Sequence, residues 1–331
     1  MMDFTLSNCK DLDVRKGTCG ITKRFAILLV MMVMITSKAL AGASFEVIDG
    51  FKYLLDSDTK TATLLPNTEK YAGDVVIPES VKAKDGNDYK VTAFGDECFG
   101  FGLTSITIPS SVTSLGDYCF WGCSLTSITI PSSVTSLGEY CFSGCDDLTS
   151  ITIPSSVITL GKSCFAQCYS LTSINIPSSV TAIGDNCFAY CRSLTSVTIP
   201  SSVTSLGDEC FWGCDSLASI TIPSSVTSLG ESCFANCSGL TSITIPSSVT
   251  SLREDCFNGC NGLTSITIPS SVTSLGEDCF CNCIGLTSIT IPSSVTSLWY
   301  NCFRNCNNLE SLYFKGKTQS FLGGLKCLKH A

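Results

Sequence analysis

A short alternation of apolar and polar residues recurs along most of the chain. In residues 148–170, Ile151 and Ile153 alternate with Ser150 and Thr152. This period of two predicts a short strand with one apolar face and one polar face. Pro154 ends the strand, because proline has no N–H to donate to a neighbouring strand.

The rest of the same unit predicts a return of the chain to the core. Val157 and Leu160 point inward, and Gly161 permits a tight turn. The segment 164–168, Cys-Phe-Ala-Gln-Cys, predicts a short helical or 3₁₀ turn. Such a turn places Cys164 and Cys168 on one face, since residues four apart in a helix are neighbours.

This unit repeats nine times with few changes. From the second unit onward the period is 23 residues, and the first step is 22. A strand this short cannot bury its apolar face alone, so each unit has to stack on the next one. Parallel strands about 4.8 Å apart then form a solenoid about 40–45 Å long. The units begin at Leu103, Leu125, Leu148, Leu171, Leu194, Leu217, Leu240, Leu263 and Leu286.

The N-terminal segment is predicted to be an export signal. An apolar run covers residues 25–35, Lys23 and Arg24 precede it, and Ala39-Leu40-Ala41 follows it. A basic, then apolar, then small-residue order is typical of a signal peptide. An uncleaved membrane anchor is the alternative, although the run is shorter than the roughly 20 residues of a membrane span.

Composition excludes several classes of function. Apolar residues make up 44% of the 331 residues, charged residues only 15%, and the formal net charge is −8. Nucleic-acid binding needs clustered Lys and Arg, which this acidic chain lacks. The single histidine, His330, is next to the C-terminal residue, which excludes most triads and catalytic zinc sites. We expect no catalytic residue, no metal site and no cofactor.

The repeat resembles a known family. The signature L-x-x-I-x-I resembles leucine-rich repeats, and I-P-S-S-V-T-S-L-G-(D/E)-x-C-F-x-x-C over 71–314 resembles the BspA-type subclass. The resemblance implies an α/β solenoid, with parallel strands on one face and short helical or 3₁₀ turns on the other. It also implies surface exposure, adhesion to host matrix proteins or other bacteria, and no enzymatic activity.

Four segments follow from these patterns. Residues 1–41 are predicted to be a signal peptide with a long basic region, and residues 42–100 an N-terminal cap with a degenerate first repeat. Residues 101–308 are predicted to be nine BspA-type repeats of 22–23 residues, and residues 309–331 a C-terminal cap. Caps are expected because an array has to cover the core at its two ends.

Two lines of cysteines run through the repeats. At the position of the first line, directly before the phenylalanine, the family usually has Ala. Three interpretations stay open: buried thiols that act as small apolar groups, disulfides between neighbouring coils, and thiolate metal binding. Buried thiols are favoured, because the side chains of stacked residues run parallel and fit a disulfide poorly. The first line is Cys119, Cys141, Cys164, Cys187, Cys210, Cys233, Cys256, Cys279 and Cys302, and the second is Cys123, Cys145, Cys168, Cys191, Cys214, Cys237, Cys260, Cys283 and Cys306.

The outward strand positions form a candidate binding face. They are hydroxyl-rich and uncharged, and they predict either an extended binding surface for protein or glycan, or simply solvated strand positions. A mostly acidic line after the turn glycine favours a solvated stripe over calcium binding, and the three tryptophans favour packing roles. The candidate residues are Ser150, Thr152, Ser173, Asn175, Ser196, Thr198, Ser219, Thr221, Ser242 and Thr244.

The predicted function is adhesion by a secreted or cell-surface protein. Its partners would be a host matrix protein or another cell surface, with glycan as a further candidate, and without nucleic acid or a membrane span in the mature chain. The alternative is a non-adhesive interaction scaffold or a secreted decoy.

Overall fold

The computed structural model describes residues 43–316, and every regular element in that range is a strand. The predicted signal peptide, 1–41, and the end of the predicted C-terminal cap, 317–331, lie outside the described residues. No helix long and apolar enough to cross a membrane occurs between residues 43 and 316.

Twenty-five strands follow one another along the chain. They are β1 (Ala43–Ile48), β2 (Phe51–Asp56), β3 (Thr61–Leu65), β4 (Tyr71–Val76), β5 (Ser80–Lys82), β6 (Asp88–Phe94), β7 (Phe99–Thr107), β8 (Ser114–Leu115), β9 (Ser127–Thr129), β10 (Ser136–Leu137), β11 (Ser150–Thr152), β12 (Thr159–Leu160), β13 (Ser173–Asn175), β14 (Ala182–Ile183), β15 (Ser196–Thr198), β16 (Ser205–Leu206), β17 (Ser219–Thr221), β18 (Ser228–Leu229), β19 (Ser242–Thr244), β20 (Ser251–Leu252), β21 (Ser265–Thr267), β22 (Ser274–Leu275), β23 (Ser288–Ile291), β24 (Ser297–Leu298) and β25 (Ser311–Phe314).

The odd-numbered strands from β9 to β25 form one parallel sheet of nine strands. Its register is set residue by residue by the repeat: Ile151 of β11 lies between Ile128 of β9 and Ile174 of β13. The three isoleucines are buried and their strand neighbours are exposed. This confirms the predicted parallel-strand solenoid, in which the period of two selects the buried face.

A second ladder runs along another side of the coils. Its strands, from β8 to β24, have two residues each and pair in parallel with the equivalent strand of the next coil in three groups: β8 with β10, then β12, β14, β16 and β18, then β20, β22 and β24. The second residue of each, such as Leu160, is buried. Within each group, consecutive coils are therefore hydrogen-bonded on two sides.

The predicted helical or 3₁₀ turns are wrong: the Cys-Phe-x-x-Cys segments between residues 119 and 306 form no helix. The N–H of Phe165 donates to Cys187 O of the next coil at 2.9 Å, and that of Gln167 donates to Ala189 O at 2.7 Å. A helix would use these N–H groups within its own segment. Here they bond to the next coil instead, so no helix forms. The fold is a β-solenoid with a third hydrogen-bonded side.

A column of stacked phenylalanines fills the centre of the coils. From Phe99 to Phe303, each ring faces the ring of the next coil, with centroids 4.9–5.7 Å apart and planes within 12° of parallel. Ile, Val, Leu and Cys side chains surround the column. One ring per coil thus continues the same core along the array.

The N-terminal strands cover the first coil. β1, β2 and β3 form an antiparallel meander, and β3 pairs in parallel with β6, which pairs with β8 of the second ladder. Tyr71 contacts both Phe51 of the meander and Phe99 of the column, with centroids 5.1 and 5.8 Å away. These rings join the meander to the core of the repeats.

Candidate functional site

The ten predicted face residues lie side by side on β11, β13, β15, β17 and β19, and all are exposed. Ser150 pairs with Ser173, and Thr198 pairs with Thr221, so each outward position forms a straight row. No charged side chain occurs in these five strands. The strands therefore present a regular and neutral hydroxyl surface, which we call the strand face.

The strand-face side chains have no hydrogen-bond partner within the described part of the protein. Hydroxyls elsewhere in the same coils do have one. Thr172 Oγ1 donates to Thr149 O at 3.2 Å, and Ser179 Oγ donates to Val157 O at 2.7 Å, each reaching the preceding coil. The repeat thus contains structural hydroxyls that bond one coil to the next and strand-face hydroxyls without a partner in the described part of the protein.

All eighteen cysteines of the two lines are buried, and each is a free thiol. From Cys145 to Cys306, every thiol of the second line donates to the phenylalanine carbonyl of the preceding coil. Cys191 Sγ, for example, lies 3.1 Å from Phe165 O. The second line therefore has a structural role that the sequence did not indicate: its S–H groups bridge successive coils.

Burial also suppresses ionisation of these thiols. It raises the pKa of Cys145, Cys191 and Cys237 to about 12, and it raises that of Cys187 and Cys210 well above the ordinary value. The thiolate is the form that attacks disulfides and binds metals. A thiol held protonated is chemically inert.

The acidic line after the turn glycine has a structural role that the sequence reasoning missed. Asp185 Oδ1 accepts the N–H of Asp208 at 2.9 Å, and Asp208 Oδ1 accepts the N–H of Glu231 at 2.8 Å. Arg253 occupies a turn-glycine position and contacts Asp208 and Glu231 at 3.4 and 2.5 Å. Asp185 and Asp208 thus each bind a backbone N–H of the following coil, and Glu231 pairs with Arg253.

Two of the three tryptophans form aromatic pairs at the surface. Trp121 lies against Phe101, with centroids 5.6 Å apart, and Trp212 lies against Tyr190 at 4.8 Å. Trp299 is exposed in the last repeat, beside the second ladder. The pairs join different coils, and the only sequence signal for them is the motif Cys-Phe-Trp-Gly-Cys at 119–123 and 210–214.

The repeats match a known family along most of their length. The family model described as a BspA type leucine-rich repeat region in six copies matches residues 92–218 and 181–310. These ranges span more than half of the chain and include nearly the whole described solenoid. The chain belongs to the BspA-type leucine-rich repeat family. No curated protein matches this BspA-type protein.

Solved structures of bacterial leucine-rich repeat proteins share the fold of this BspA-type protein. A leucine-rich repeat protein from Bacteroides ovatus ATCC 8483 is 28% identical, over 81% of this chain and 88% of that chain, with a TM-score of 0.54. The pneumococcal vaccine antigen PcpA is 18% identical, over 84% of this chain and 89% of that chain, with a TM-score of 0.57. The second likeness shows the fold alone.

The buried thiols of this BspA-type protein predict unusual resistance to thiol reagents. With Cys9, Cys19 and Cys327 replaced by serine, 20 buried cysteines remain. We expect almost no reaction of the native protein with Ellman's reagent at pH 8, and reaction of all 20 thiols in guanidinium chloride. Adding Thr198→Cys on the strand face should restore one fast-reacting thiol. Several fast native thiols would contradict the buried arrangement, and fewer than 20 after unfolding would indicate disulfides.

Proposed function

We propose that this protein is an exported adhesin that binds host matrix protein or partner cells through the strand face, and that it carries no catalytic site. The observation that supports this proposal most directly is the strand face itself. Its hydroxyls are exposed, in register and unpartnered, whereas other hydroxyls of the same coils, such as those of Thr172 and Ser179, are hydrogen-bonded to the preceding coil.

The chemistry of the strand face suits binding to another protein. A partner that covers it leaves no charge unpaired, and each hydroxyl rotates to donate or to accept. The strands lack the Trp, Tyr and Arg residues typical of binding hot spots. Each contact is therefore weak, and affinity depends on many contacts along the array and on many copies on one surface.

Family membership and the predicted signal peptide support export. Repeat solenoids bind through extended surfaces built from successive units, and the family resemblance implies adhesion at the cell surface. Together with the unpartnered strand face, these features support adhesion, and a non-adhesive interaction scaffold or a secreted decoy is the alternative.

Lysines on the strand face are expected to abolish adhesion. Thr198, Thr221 and Thr244 lie on neighbouring strands, so their replacement by lysine puts three like charges within about 10 Å on a neutral surface. We expect binding to immobilised matrix proteins and to bacterial cells to fall at least tenfold. The three ammonium groups repel one another, and a partner that covers them has to remove their hydration water.

A matched control uses the same coils and the same change of residue. Thr204, Thr227 and Thr250 are exposed on the side of the second ladder, and within the described residues only Thr227 of the three has a side-chain hydrogen bond, to Thr204 O at 3.3 Å. Their replacement by lysine should leave binding unchanged. Equal loss in both triple variants would contradict a role for the strand face and indicate a general effect of charge. If the native protein binds neither matrix proteins nor cells, adhesion is wrong.

A further inference from the structure

A second surface runs along the Cys-Phe-x-x-Cys side of the solenoid. We call it the turn strip and define it by the two residues that follow the phenylalanine in each coil, from 121–122 to 281–282. None of these residues is charged, although the neighbouring line of the same coils is mostly acidic. Ser143, Ala166 and Ala189 are buried, so the floor of the strip between Trp121 and Tyr190 consists of small side chains.

Two aromatic platforms stand on this strip, and they are built in the same way. At each, an aromatic ring of one coil lies over a glycine of the next coil and beside its tryptophan. A Cβ on Gly122 would lie 2.7 Å from Phe101 Cε1, and a Cβ on Gly213 would lie 2.8 Å from Tyr190 Cδ1. Both glycines have positive φ, 66° and 68°. The glycine is therefore required for the ring to cross the coil boundary. The two rings of each pair are inclined, by 65° at Phe101–Trp121 and by 46° at Tyr190–Trp212.

Both platforms reach the surface, and they are in register. Phe101 is 71% exposed and Trp121 is 46% exposed, while Tyr190 and Trp212 are partly exposed. The tryptophans occupy the same repeat position four coils apart, which corresponds to about 19 Å at the spacing of parallel strands. A ligand that contacts both platforms therefore has to be an extended polymer.

Polar groups flank the second platform without adding net charge. Arg192 lies over the rings of Tyr169 and Tyr190, 5.2 and 5.6 Å from their centroids, and pairs with Asp215 at 3.8 Å. Beyond Trp212 the strip carries amides. The Asn282 amide donates to Asn258 Oδ1 at 3.0 Å, and Asn305 continues this row. Donors and acceptors thus line the strip while its floor stays neutral.

Aromatic rings at the surface beside hydrogen-bonding groups of no net charge suit sugar rings. The C–H face of a pyranose packs on an aromatic ring, and its hydroxyls bond to amide, guanidinium and carboxylate groups. An acidic polymer would be repelled by the neighbouring carboxylate line. We propose that the turn strip binds a neutral polysaccharide, with the Phe101–Trp121 and Tyr190–Trp212 pairs as two stacking platforms. This site is separate from the strand face and takes a different class of ligand.

The three tryptophans provide the test and its control. The full chain is run in native gels that contain dextran, mannan, laminarin or arabinoxylan, with alginate as the anionic comparison. We expect at least one neutral polymer to retard the protein, and alginate not to. Trp121→Ala or Trp212→Ala should weaken the retardation about tenfold through loss of bivalent contact, and the double variant should abolish it. Trp299→Ala, which removes an exposed tryptophan outside the strip, should leave it unchanged.

Three results would overturn the proposal: no retardation by any of the four neutral polymers, equal effects of the double variant and Trp299→Ala, or retention of full binding by the double variant. Unchanged thermal unfolding of each variant checks that the fold is intact. The triple lysine variant of the strand face should still bind the polysaccharide, and the double tryptophan variant should still bind protein. Failure of either proposal is therefore visible independently of the other.

Discussion

Replacing Phe188 by alanine is expected to lower the free energy of unfolding by about 3–5 kcal/mol. Phe188 is fully buried, and its ring stacks between Phe165 and Phe211 with centroids 5.7 and 5.4 Å away. Each coil contacts only its neighbours, so neither side has other packing to close the cavity. The substitution should therefore weaken the contact between coils in the middle of the array. The two halves of the array could then unfold separately.

Urea unfolding followed by far-ultraviolet circular dichroism measures this loss. Ile158→Ala is the matched control, because Ile158 is a large apolar residue that is 55% exposed in the preceding coil. We expect the control to stay within about 0.5 kcal/mol of the native protein. Phe188→Leu should fall between the two variants. Equal costs for Phe188→Ala and Ile158→Ala would show that the phenylalanine column does not hold the coils together.

Stability is expected to fall steeply above about pH 8.5, where an exposed cysteine ionises. Burial raises the pKa of the thiols in the folded state, to about 12 at Cys191. Above pH 8.5 the unfolded chain therefore binds fewer protons than the folded protein, and the free energy of unfolding decreases as the pH rises. Each such thiol makes its full contribution to the free energy of unfolding below its pKa in the unfolded chain. That contribution is lost as the pH rises from the unfolded pKa to the folded pKa.

The expected effect is large because many thiols act together. Each thiol that is protonated when folded and ionised when unfolded lowers the free energy of unfolding by about 1.4 kcal/mol per pH unit. Urea unfolding at intervals from pH 7 to 8.5 measures the slope, below the range in which tyrosines ionise. At pH 8.5, where about half of each unfolded thiol is ionised, Cys191→Ala should reduce the slope by about 0.7 kcal/mol per pH unit, and Thr198→Ala should leave it unchanged. A flat profile up to pH 8.5 would contradict the burial of the thiols.

The local pattern was sufficient to predict which side chains form the core. Ile151, Leu160, Cys164 and Phe165 are inward positions of one repeat, and all are buried in the structure. Periodicity identifies these positions because the buried side of a strand is set by its own alternation. The nine-fold repetition then predicts parallel stacking, since equivalent apolar faces cover one another only in register.

The helical turn was predicted wrongly because the carbonyl groups that accept its N–H groups lie in another repeat. The segment 164–168 has helical spacing, but the N–H of Phe165 bonds to Cys187 O, 22 residues further along the chain. Local propensity does not include a partner that appears only after stacking. The carboxylate of Asp185 on the N–H of Asp208, and the pair of Tyr190 with Trp212, were missed for the same reason.

The sequence by itself determined the solenoid, its period, its buried columns and its neutral strand positions, because each of these follows from patterns within one unit or from exact repetition. Only the tertiary structure decided which polar side chains have a hydrogen-bond partner within the protein. Thr172 and Asn175 are both polar and exposed, yet Thr172 bonds to the preceding coil while Asn175 stays unpartnered. A side chain acquires or lacks a partner only when the next coil is placed against it, and the candidate binding surfaces follow from that placement.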